Sequence, residues 1–398
     1  MNILLLTGLY DTKPASGGSY LMWAYVQELK RQGHSVYLFY YTSADSDPRK
    51  AAEEPNTWYL PDLKDRQHAQ KPVHHKVVAK VKVLLASKKP TIDAQERYFM
   101  RDFAWLGAAL GAALKDVQID VAQVDFPWMM NVVDYLPKGI PKVFVSHEAK
   151  FVLQAREGKT HLAERSKHFE ASLGAKFDAV LTLTDVEEAE WKRLGMGNKV
   201  YTSCMGLELP VRVGQLSQRA DKLVFLGSGK HHPNLDGIRY FLLEIWPIVQ
   251  SKHPQLTLLI TGKYEEAFLA EFEHVSGVNW LGFVPDLSSL MNGAISVVPI
   301  RLGSGIRVKI LESMALGAPV VSTTMAAEGI GAINNRHLIL ADGAQAFAQA
   351  VSKLYTNTEL YNQIVSASHQ YVYDYFELKL STQKRVALLQ AIIDAAKP

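Results

Sequence analysis

Short apolar runs alternate with helical patterns along this chain of 398 residues, and that alternation constrains the fold more than any other feature. Continuous apolar runs are typical of strands that helices cover on both faces. Strands that alternate with helices form parallel sheets, so the pattern predicts an α/β protein. The predicted strands are Ile3–Thr7, Ser35–Tyr40, Val121–Val124, Lys142–Ser146, Ala179–Leu183, Lys199–Thr202, Leu223–Leu226, Leu256–Ile260, Val278–Leu281, Ile295–Val298, Val320–Ser322 and Leu338–Leu340.

Capping residues predict where several helices begin and end. A helix is predicted over Tyr20–Arg31. The run Thr184-Asp185-Val186-Glu187 has the form of a capping box, and its helix is predicted to end near Gly195. Asn234 is predicted to cap a helix that runs to about Gln250.

The length predicts more than one domain, since single domains usually hold about 100–200 residues. Gly206, Pro210 and Gly214 interrupt any regular period, which places the predicted hinge near residues 205–219. We therefore predict an N-terminal domain over 1–210 and a second domain over 211–375. A last helix over 376–398, which no strand follows, is predicted to pack back on the first domain.

Composition excludes several classes of protein. The 43 Lys and Arg nearly balance the 40 Asp and Glu, which argues against a nucleic-acid binder held by phosphate contacts. The single cysteine, Cys204, cannot form an internal disulfide and favours a reducing compartment. No apolar run reaches the 18 or so residues that cross a bilayer, and the first residues lack the basic start of a signal peptide. We therefore expect a cytoplasmic protein.

The segment 64–90 departs from the α/β rhythm because it is strongly basic. Eight Lys and Arg residues stand there against Asp65 alone, and the apolar residues between Val77 and Leu85 follow a helical stripe. A basic amphipathic helix can lie on an anionic membrane surface, here the inner face of the cell membrane. The segment can equally form a groove for an anionic acceptor, or a surface helix with its lysines in water.

A glycine-rich loop followed by charged residues is the first candidate binding site. Gly303-Ser304-Gly305 follows a predicted strand, and a helix is predicted to start near Ile306. Glycines allow close approach of a ligand, and helix N-termini attract anions, so the loop suits a diphosphate. Arg307 and Lys309 add cationic donors. Glu312, on the same helix face as Lys309, can accept hydrogen bonds from vicinal sugar hydroxyls, or the two can form a surface ion pair.

Three further sites lie at the predicted carboxyl ends of strands, where open α/β sheets bind ligands. The loop from Gly227 to Asn234 contains Lys230, which can meet phosphate oxygens if the loop is more than a tight turn. Gly17-Gly18 opens the first helix. His147 follows a predicted strand directly. No pair of histidines has the spacing of a metal site, so we expect no metal ligands.

Taken together, these motifs resemble the GT-B glycosyltransferases, and specifically the large retaining, nucleotide-sugar-dependent family usually numbered four. The resemblance is strongest over residues 222–375, where the run from Pro299 through Thr323 is similar to the family's donor-site helix. Ala327-Glu328-Gly329 also fits. The first domain matches through Gly17-Gly18, the position of His147 and its strand order.

The resemblance implies two Rossmann-like domains with parallel sheets that face a central cleft, the first for the acceptor and the second for a nucleotide-diphosphate sugar. It implies a metal-independent, cofactor-free transfer in bacterial polysaccharide or glycoconjugate synthesis, onto a glycan, lipid-linked or other hydroxyl acceptor. The implied site residues, by role, are Glu312 for the donor ribose; Gly305, Arg307 and Lys309 for the diphosphate; Phe283 and Val284 for the nucleobase; Gly18 for the donor phosphate; and His147 for the transferred sugar.

The chain departs from the family pattern at one position. Many members carry a second glutamate eight residues before the one that matches Glu312, and Ser304 stands there in this chain. That glutamate usually touches the sugar. Two alternatives to a transferase therefore stay open: a sugar-nucleotide epimerase on the same fold, and a non-catalytic GT-B partner subunit.

Overall fold

The computed structural model of the chain describes residues 1–8, 10, 17–40, 55–59, 104–209, 222–303 and 305–397. The basic segment 64–90 and Ser304 lie outside these residues. The chain folds into two compact units. Unit 1 consists of Met1–Gln154, Lys159–Met205 and Thr382–Pro398, and unit 2 of Ala155–Gly158 and Gly206–Ser381.

Unit 1 is built on a parallel sheet of seven strands in the order β3-β2-β1-β4-β5-β6-β7. The first six of these follow the Rossmann order, in which the chain changes direction between β1 and β4. The strands are β1 Asn2–Thr7, β2 Ser35–Tyr40, β3 Thr57–Tyr59, β4 Val121–Asp125, β5 Lys142–Ser146, β6 Ala179–Thr182 and β7 Val200–Thr202.

The helices of unit 1 cover the sheet with a large apolar core that includes the fully buried Trp191. They are α1 Gly17–Arg31, α2 Ala104–Ala113, α3 Lys150–Arg156, α4 Thr160–Gly174 and α5 Asp185–Trp191, with 3-10 helices at Pro127–Tyr135 and Gly197–Lys199. The capping box is confirmed, because Thr184 Oγ1 accepts a hydrogen bond from the Glu187 amide at 3.1 Å. A π-helical turn, Lys192–Met196, follows α5 and contains Gly195 at a φ of 85°.

Unit 2 is built on a parallel sheet of six strands in the order β10-β9-β8-β11-β12-β13, again the Rossmann order. Its strands are β8 Lys222–Phe225, β9 Thr257–Thr261, β10 Val278–Gly282, β11 Ala294–Val298, β12 Val320–Ser322 and β13 Ile339–Leu340. Its helices are α6 His232–Tyr240, α7 Trp246–Lys252, α8 Glu266–Ala270, α9 Ser288–Met291, α10 Val308–Ala315, α11 Ala344–Thr356 and α12 Thr358–Phe376, followed by α13 Leu378–Ala395, which reaches into unit 1.

The helix predicted from Asn234 to Gln250 is wrong in two respects. It begins at His232 with His231 as the N-cap, and a π-helical segment, Phe241–Ile245, divides it into α6 and α7. Pro247 explains the interruption, because proline lacks an amide donor and its ring clashes with the carbonyl four residues earlier. Asn234 is thereby released from capping and serves another purpose.

The predicted α/β architecture of two parallel Rossmann-like sheets is confirmed. None of the helices in the described part of the chain combines the length and the apolar character that crossing a membrane requires.

Candidate functional site

In unit 2, the loops after β8 and β11 meet where the strand order reverses, which is where ligands bind in open α/β sheets. Gly227 follows β8, and α10 follows β11 and carries Lys309. The Nζ of Lys309 donates a hydrogen bond of 2.7 Å to Asn234 Oδ1. The same ammonium lies 4.7 Å from the centre of the Phe225 ring, in a cation–π contact. We call Phe225, Gly227, Asn234, Lys309 and Glu312 the Lys309 cluster.

Gly227 is required in this cluster because there is no room for a side chain. A Cβ atom at Gly227 would lie 2.9 Å from Lys309 Nζ and 2.9 Å from the amide of Asn234. The Asn234 amide is fixed in turn, since its Nδ2 donates to the Ser228 carbonyl at 2.9 Å. The loop therefore holds the asparagine in an orientation that presents its oxygen to Lys309.

A second glycine brings the loop after β9 against the loop after β8. Gly262 has a φ of 97°, and a Cβ atom there would lie 2.1 Å from the Gly227 carbonyl oxygen. That oxygen accepts a hydrogen bond of 2.9 Å from the hydroxyl of Tyr264. Close backbone approach and the tyrosine together fix the position of Gly227.

Helix α10 is tied to the sheet through two serines. Ser313 Oγ donates to the Lys309 carbonyl at 2.6 Å, and it lies 2.8 Å from Ser296 Oγ on β11, so the Ser296 hydroxyl donates to it. Both serines are buried. The backbone that carries Lys309 is thus held rigidly against the sheet, which positions the ammonium.

Burial shifts the pKa values of the two charged members of the cluster toward each other. It lowers the pKa of the Lys309 ammonium to about 7, helped by the positive charge of Arg307 and opposed by Glu312. Burial also raises the pKa of the Glu312 carboxyl, against the opposing effect of Lys309. An anion bound beside Lys309 would favour its charged form. The cluster therefore has the electrostatics of an anion site.

The start of α10 differs from the prediction. The helix begins at Val308 rather than near Ile306, with Arg307 as its N-cap and no side chain capping its first amides. Gly303 and Gly305 have φ values of 116° and 76°, which keep the preceding loop out of the helix. The guanidinium of Arg307 turns back on this loop, and its Nη1 donates to the Gly305 carbonyl at 2.7 Å.

The other predicted residues of unit 2 lie on loops. Phe283 follows β10 with 62 % of its surface exposed, and Val284 beside it is partly buried. Lys230 is exposed on the loop after β8, where its amide donates to Ser228 Oγ at 3.3 Å. Neither residue carries a contact to the Lys309 cluster among those that fix the cluster.

In unit 1, Gly17 and Gly18 are the first two residues of α1 rather than part of a loop. His147 directly follows β5, and its Nε2 lies 2.7 Å from Asp125 Oδ1 at the end of β4. Its ring stacks on Phe126 with centres 4.0 Å apart. The described residues contain no group of three His, Cys, Asp or Glu side chains arranged to hold a metal ion.

Sequence reasoning missed the roles of Asn234, Phe225, Asp125 and Tyr264. The signal at Asn234 was its place, directly after a proline that ends a glycine-rich loop. Its reading as a helix cap concealed its contact with Lys309. Asp125 was the last residue of a strand, and strand ends were already the expected place for function.

Comparison with known proteins places the chain in a fold. Residues 220–357, about a third of the chain, match the family model described as glycosyl transferases group 1. A protein described as an uncharacterized 44.6 kDa protein in the cps region of Klebsiella pneumoniae is 20 % identical over 222 residues. That match covers 54 % of this chain and only 56 % of the relative's own length.

Solved structures match over nearly the whole chain. Sucrose-phosphate synthase from Thermosynechococcus elongatus is 14 % identical, with a TM-score of 0.70 over 99 % of this chain and 100 % of that one. TarM of S. aureus, in complex with Fondaparinux, alpha-GlcNAc-glycerol and UDP, is 10 % identical, with a TM-score of 0.70 over 98 % and 100 %. HepE of Anabaena in complex with UDP is 12 % identical, with a TM-score of 0.67 over 98 % and 100 %. The chain therefore has the GT-B fold, and its residues 220–357 form a domain of the glycosyl transferases group 1 family.

Proposed function

We propose that the chain is a retaining glycosyltransferase that moves a sugar from a nucleotide-diphosphate sugar to a hydroxyl group of a glycan or lipid-linked acceptor. The Lys309 cluster is the observation that carries this proposal. Its buried ammonium, the asparagine that orients it and the uncapped start of α10 provide positive charge and donors at one sheet edge. Such an arrangement suits a departing diphosphate.

The reaction asks little of the protein beyond this stabilisation. As the bond between the anomeric carbon and the donor phosphate breaks, negative charge develops on the diphosphate, and the Lys309 ammonium compensates it. Glu312 accepts hydrogen bonds from the ribose hydroxyls, and the exposed ring of Phe283 offers a surface for the base. The acceptor hydroxyl then attacks the face that the diphosphate left, and the diphosphate takes its proton. No metal ion is needed for this charge balance.

The bacterial polysaccharide pathway is part of the same proposal. Its support is the relative encoded in a cps region and the solved structures that contain UDP. The acceptor, the sugar and the location at the inner face of the membrane follow from the sequence resemblance and the basic segment 64–90.

A thermal-shift screen of the full chain against UDP-, GDP-, ADP- and dTDP-sugars tests the proposal, because a ligand that binds only the folded state raises the melting temperature. We expect one nucleotide class to stabilise the protein. Transfer to an added acceptor, with only slow hydrolysis in its absence, would support a transferase. Epimerisation of the donor alone, or no stabilisation by any nucleotide sugar, would contradict it.

Glu312→Gln is expected to weaken UDP binding about 10- to 100-fold, since a hydrogen bond to a charged group contributes about 1.5–3 kcal/mol. The same substitution should barely change binding of 2′-deoxy-UDP, which lacks one of the two vicinal hydroxyls. Calorimetry with both nucleotides measures the difference. Glu359→Gln, at an exposed carboxylate on α12, is the matched control. Equal losses for the two nucleotides would remove Glu312 from the ribose.

Nucleotide binding is expected to weaken as the pH rises above 7. The free Lys309 has a pKa of about 7, and a bound diphosphate raises that pKa, so binding above pH 7 must take up a proton. Affinity for a nucleotide sugar should therefore fall up to about tenfold per pH unit between pH 7 and 8.5. Calorimetry in buffers of different ionisation enthalpy counts the proton. Lys309→Arg stays charged throughout this range and should lose the dependence; if it keeps it, another group is responsible.

A further inference from the structure

A chain of polar side chains runs through the interior of unit 1 from the last helix to His147. Arg385, on α13, lies with its guanidinium carbon 5.1 Å from the centre of the Tyr25 ring on α1. The Tyr25 hydroxyl donates to Gln123 Oε1 at 3.0 Å, and Gln123 Nε2 donates to Asp125 Oδ2 at 2.8 Å. Asp125 Oδ1 lies 2.7 Å from His147 Nε2. Four segments far apart in sequence therefore meet in one connected path.

The two charged members of this path are both inaccessible to solvent. Asp125 has 0 % of its surface exposed and Arg385 has 1 %. Burying either charge without compensation would be costly. Two neutral side chains, Tyr25 and Gln123, separate them. The phenol of Tyr25 experiences both charges, since Arg385 lowers its pKa and Asp125 raises it, while burial keeps that pKa high, at about 12. Tyr25 is therefore a neutral donor at physiological pH.

The direction of each hydrogen bond along the path is fixed by chemistry. Because Tyr25 donates to Gln123 Oε1, the amide must present its Nε2 to the carboxylate of Asp125. The other carboxylate oxygen can only accept, so the hydrogen between Asp125 and His147 belongs to Nε2 of the ring. Neutral His147 then carries a lone pair on Nδ1. Nδ1 makes no hydrogen bond to any residue in the described part of unit 1.

Packing fixes the plane of the same ring. His147 stacks on Phe126 at an interplanar angle of 17°, and Phe126 stacks on Trp128 with centres 4.6 Å apart. Phe126 has a φ of 74°, a conformation that non-glycine residues rarely adopt and that a functional constraint can maintain. Both the tautomer and the orientation of His147 are thus determined by its neighbours.

We propose that Arg385 and Tyr25 are positioning residues for His147. Through Gln123 they compensate and orient the Asp125 carboxylate, which holds His147 with Nε2 protonated and Nδ1 ready to accept a hydrogen bond from a sugar hydroxyl. The role of Nδ1 rests on the proposed function, whereas the control of the tautomer does not. The last helix thereby sets the chemistry of a residue at the opposite end of the sequence.

Arg385 has another contact that a purely structural role would explain. Its Nε donates to Ser203 Oγ at 2.9 Å, and its Nη2 donates to the Ser203 carbonyl. If this anchoring were its whole role, loss of the guanidinium would lower stability and leave the His147 ring unchanged. The two roles are therefore separable by a measurement on the ring itself.

The experiment measures the tautomer of His147 by ¹⁵N NMR of the imidazole nitrogens in the full chain, with the signal assigned through His147→Gln. Tyr25→Phe removes one oxygen atom and should lower the ratio of Nε2–H to Nδ1–H tautomer about fivefold, as expected for loss of one hydrogen bond. Asp125→Asn should lower it further. Arg385→Met should act in the same direction as Tyr25→Phe. Lys384→Met removes an exposed charge from the neighbouring position of α13 and should leave the ratio unchanged.

The kinetic counterpart uses the same variants in the transferase assay. Tyr25→Phe and Arg385→Met should lower kcat about tenfold and leave the KM for the nucleotide sugar unchanged, because the Lys309 cluster is untouched. An unchanged tautomer ratio in both folded variants would overturn the inference, whatever their melting temperatures. If the wild-type protein transfers no sugar, the proposed function fails, and the NMR result alone still decides whether Tyr25 and Arg385 position His147.

Discussion

Lys309→Met is expected to lower the affinity for a nucleoside diphosphate by about 100-fold or more. The substitution keeps the length of the side chain and removes the ammonium, which donates to Asn234 and stands at the proposed diphosphate site. A hydrogen bond between charged groups contributes about 1.5–3 kcal/mol, and the Coulomb attraction in a partly buried site adds to it. Isothermal calorimetry with UDP, or with the nucleotide that the thermal-shift screen selects, measures the loss.

The same variant should be more stable than the wild-type protein when no ligand is present. The pKa of Lys309 falls to about 7 in the folded state, below its ordinary value in the unfolded chain. The unfolded state therefore binds more protons between these two pKa values, and the charged lysine destabilises the fold at pH 7 and below. Lys309→Met removes this destabilisation, and the gain should disappear at high pH, where both states carry a neutral lysine.

These two effects of opposite sign protect the interpretation from misfolding. A variant that loses binding because it is damaged would melt at a lower temperature, whereas this one should melt higher. Lys252→Met, at an exposed lysine that ends α7, is the control and should change neither quantity. Full nucleotide affinity in Lys309→Met would exclude this lysine from the donor site.

Gly262→Ala is expected to lower the free energy of unfolding by about 3 kcal/mol, the largest effect on stability that the structure predicts for a single methyl group. The methyl would lie 2.1 Å from the Gly227 carbonyl oxygen and 2.8 Å from Ser228 Cα, and alanine is strained at a φ of 97°. The β8 loop would have to move. Because Gly227 belongs to the Lys309 cluster, nucleotide affinity should fall as well. Urea unfolding and calorimetry measure the two losses.

Gly111→Ala is the matched control for this change. Gly111 lies in α2, and a Cβ atom there meets nothing within 4 Å. Alanine is preferred over glycine in a helix by about 0.5–1 kcal/mol, so this variant should be slightly more stable than the wild type. If Gly262→Ala were as stable as Gly111→Ala, the close contact between the β8 and β9 loops would be wrong.

Most strands could be predicted because burial on both faces writes itself into the sequence as a continuous apolar run. Ser35–Tyr40, Lys142–Ser146 and Val320–Ser322 have the predicted bounds. The edge strand Thr57–Tyr59 was missed, since three residues after a proline-containing polar stretch carry too short a pattern. The capping box at Thr184 was found because its residues interact locally.

Features that depend on contacts between distant segments were beyond sequence reasoning. The loop with Gly303 and Gly305 and the helix with Lys309 were recognised, but Asn234 lies 75 residues from its partner Lys309. Likewise, Tyr25 and Gln123 lie 98 residues apart, and neither belongs to a local motif. Only the strand order, which brings β1, β4 and β5 side by side, shows why these side chains meet.

The membership of residues 382–398 in unit 1 has a consequence for how the protein folds during synthesis. These residues leave the ribosome only after all of unit 2, so unit 1 must wait, without Arg385, while a whole domain is translated. Contacts with such sequence separation carry a large loop-closure entropy and form slowly. We expect unit 2 to reach its native state first, and the buried path from Tyr25 to His147 to be among the last parts of the molecule to assemble.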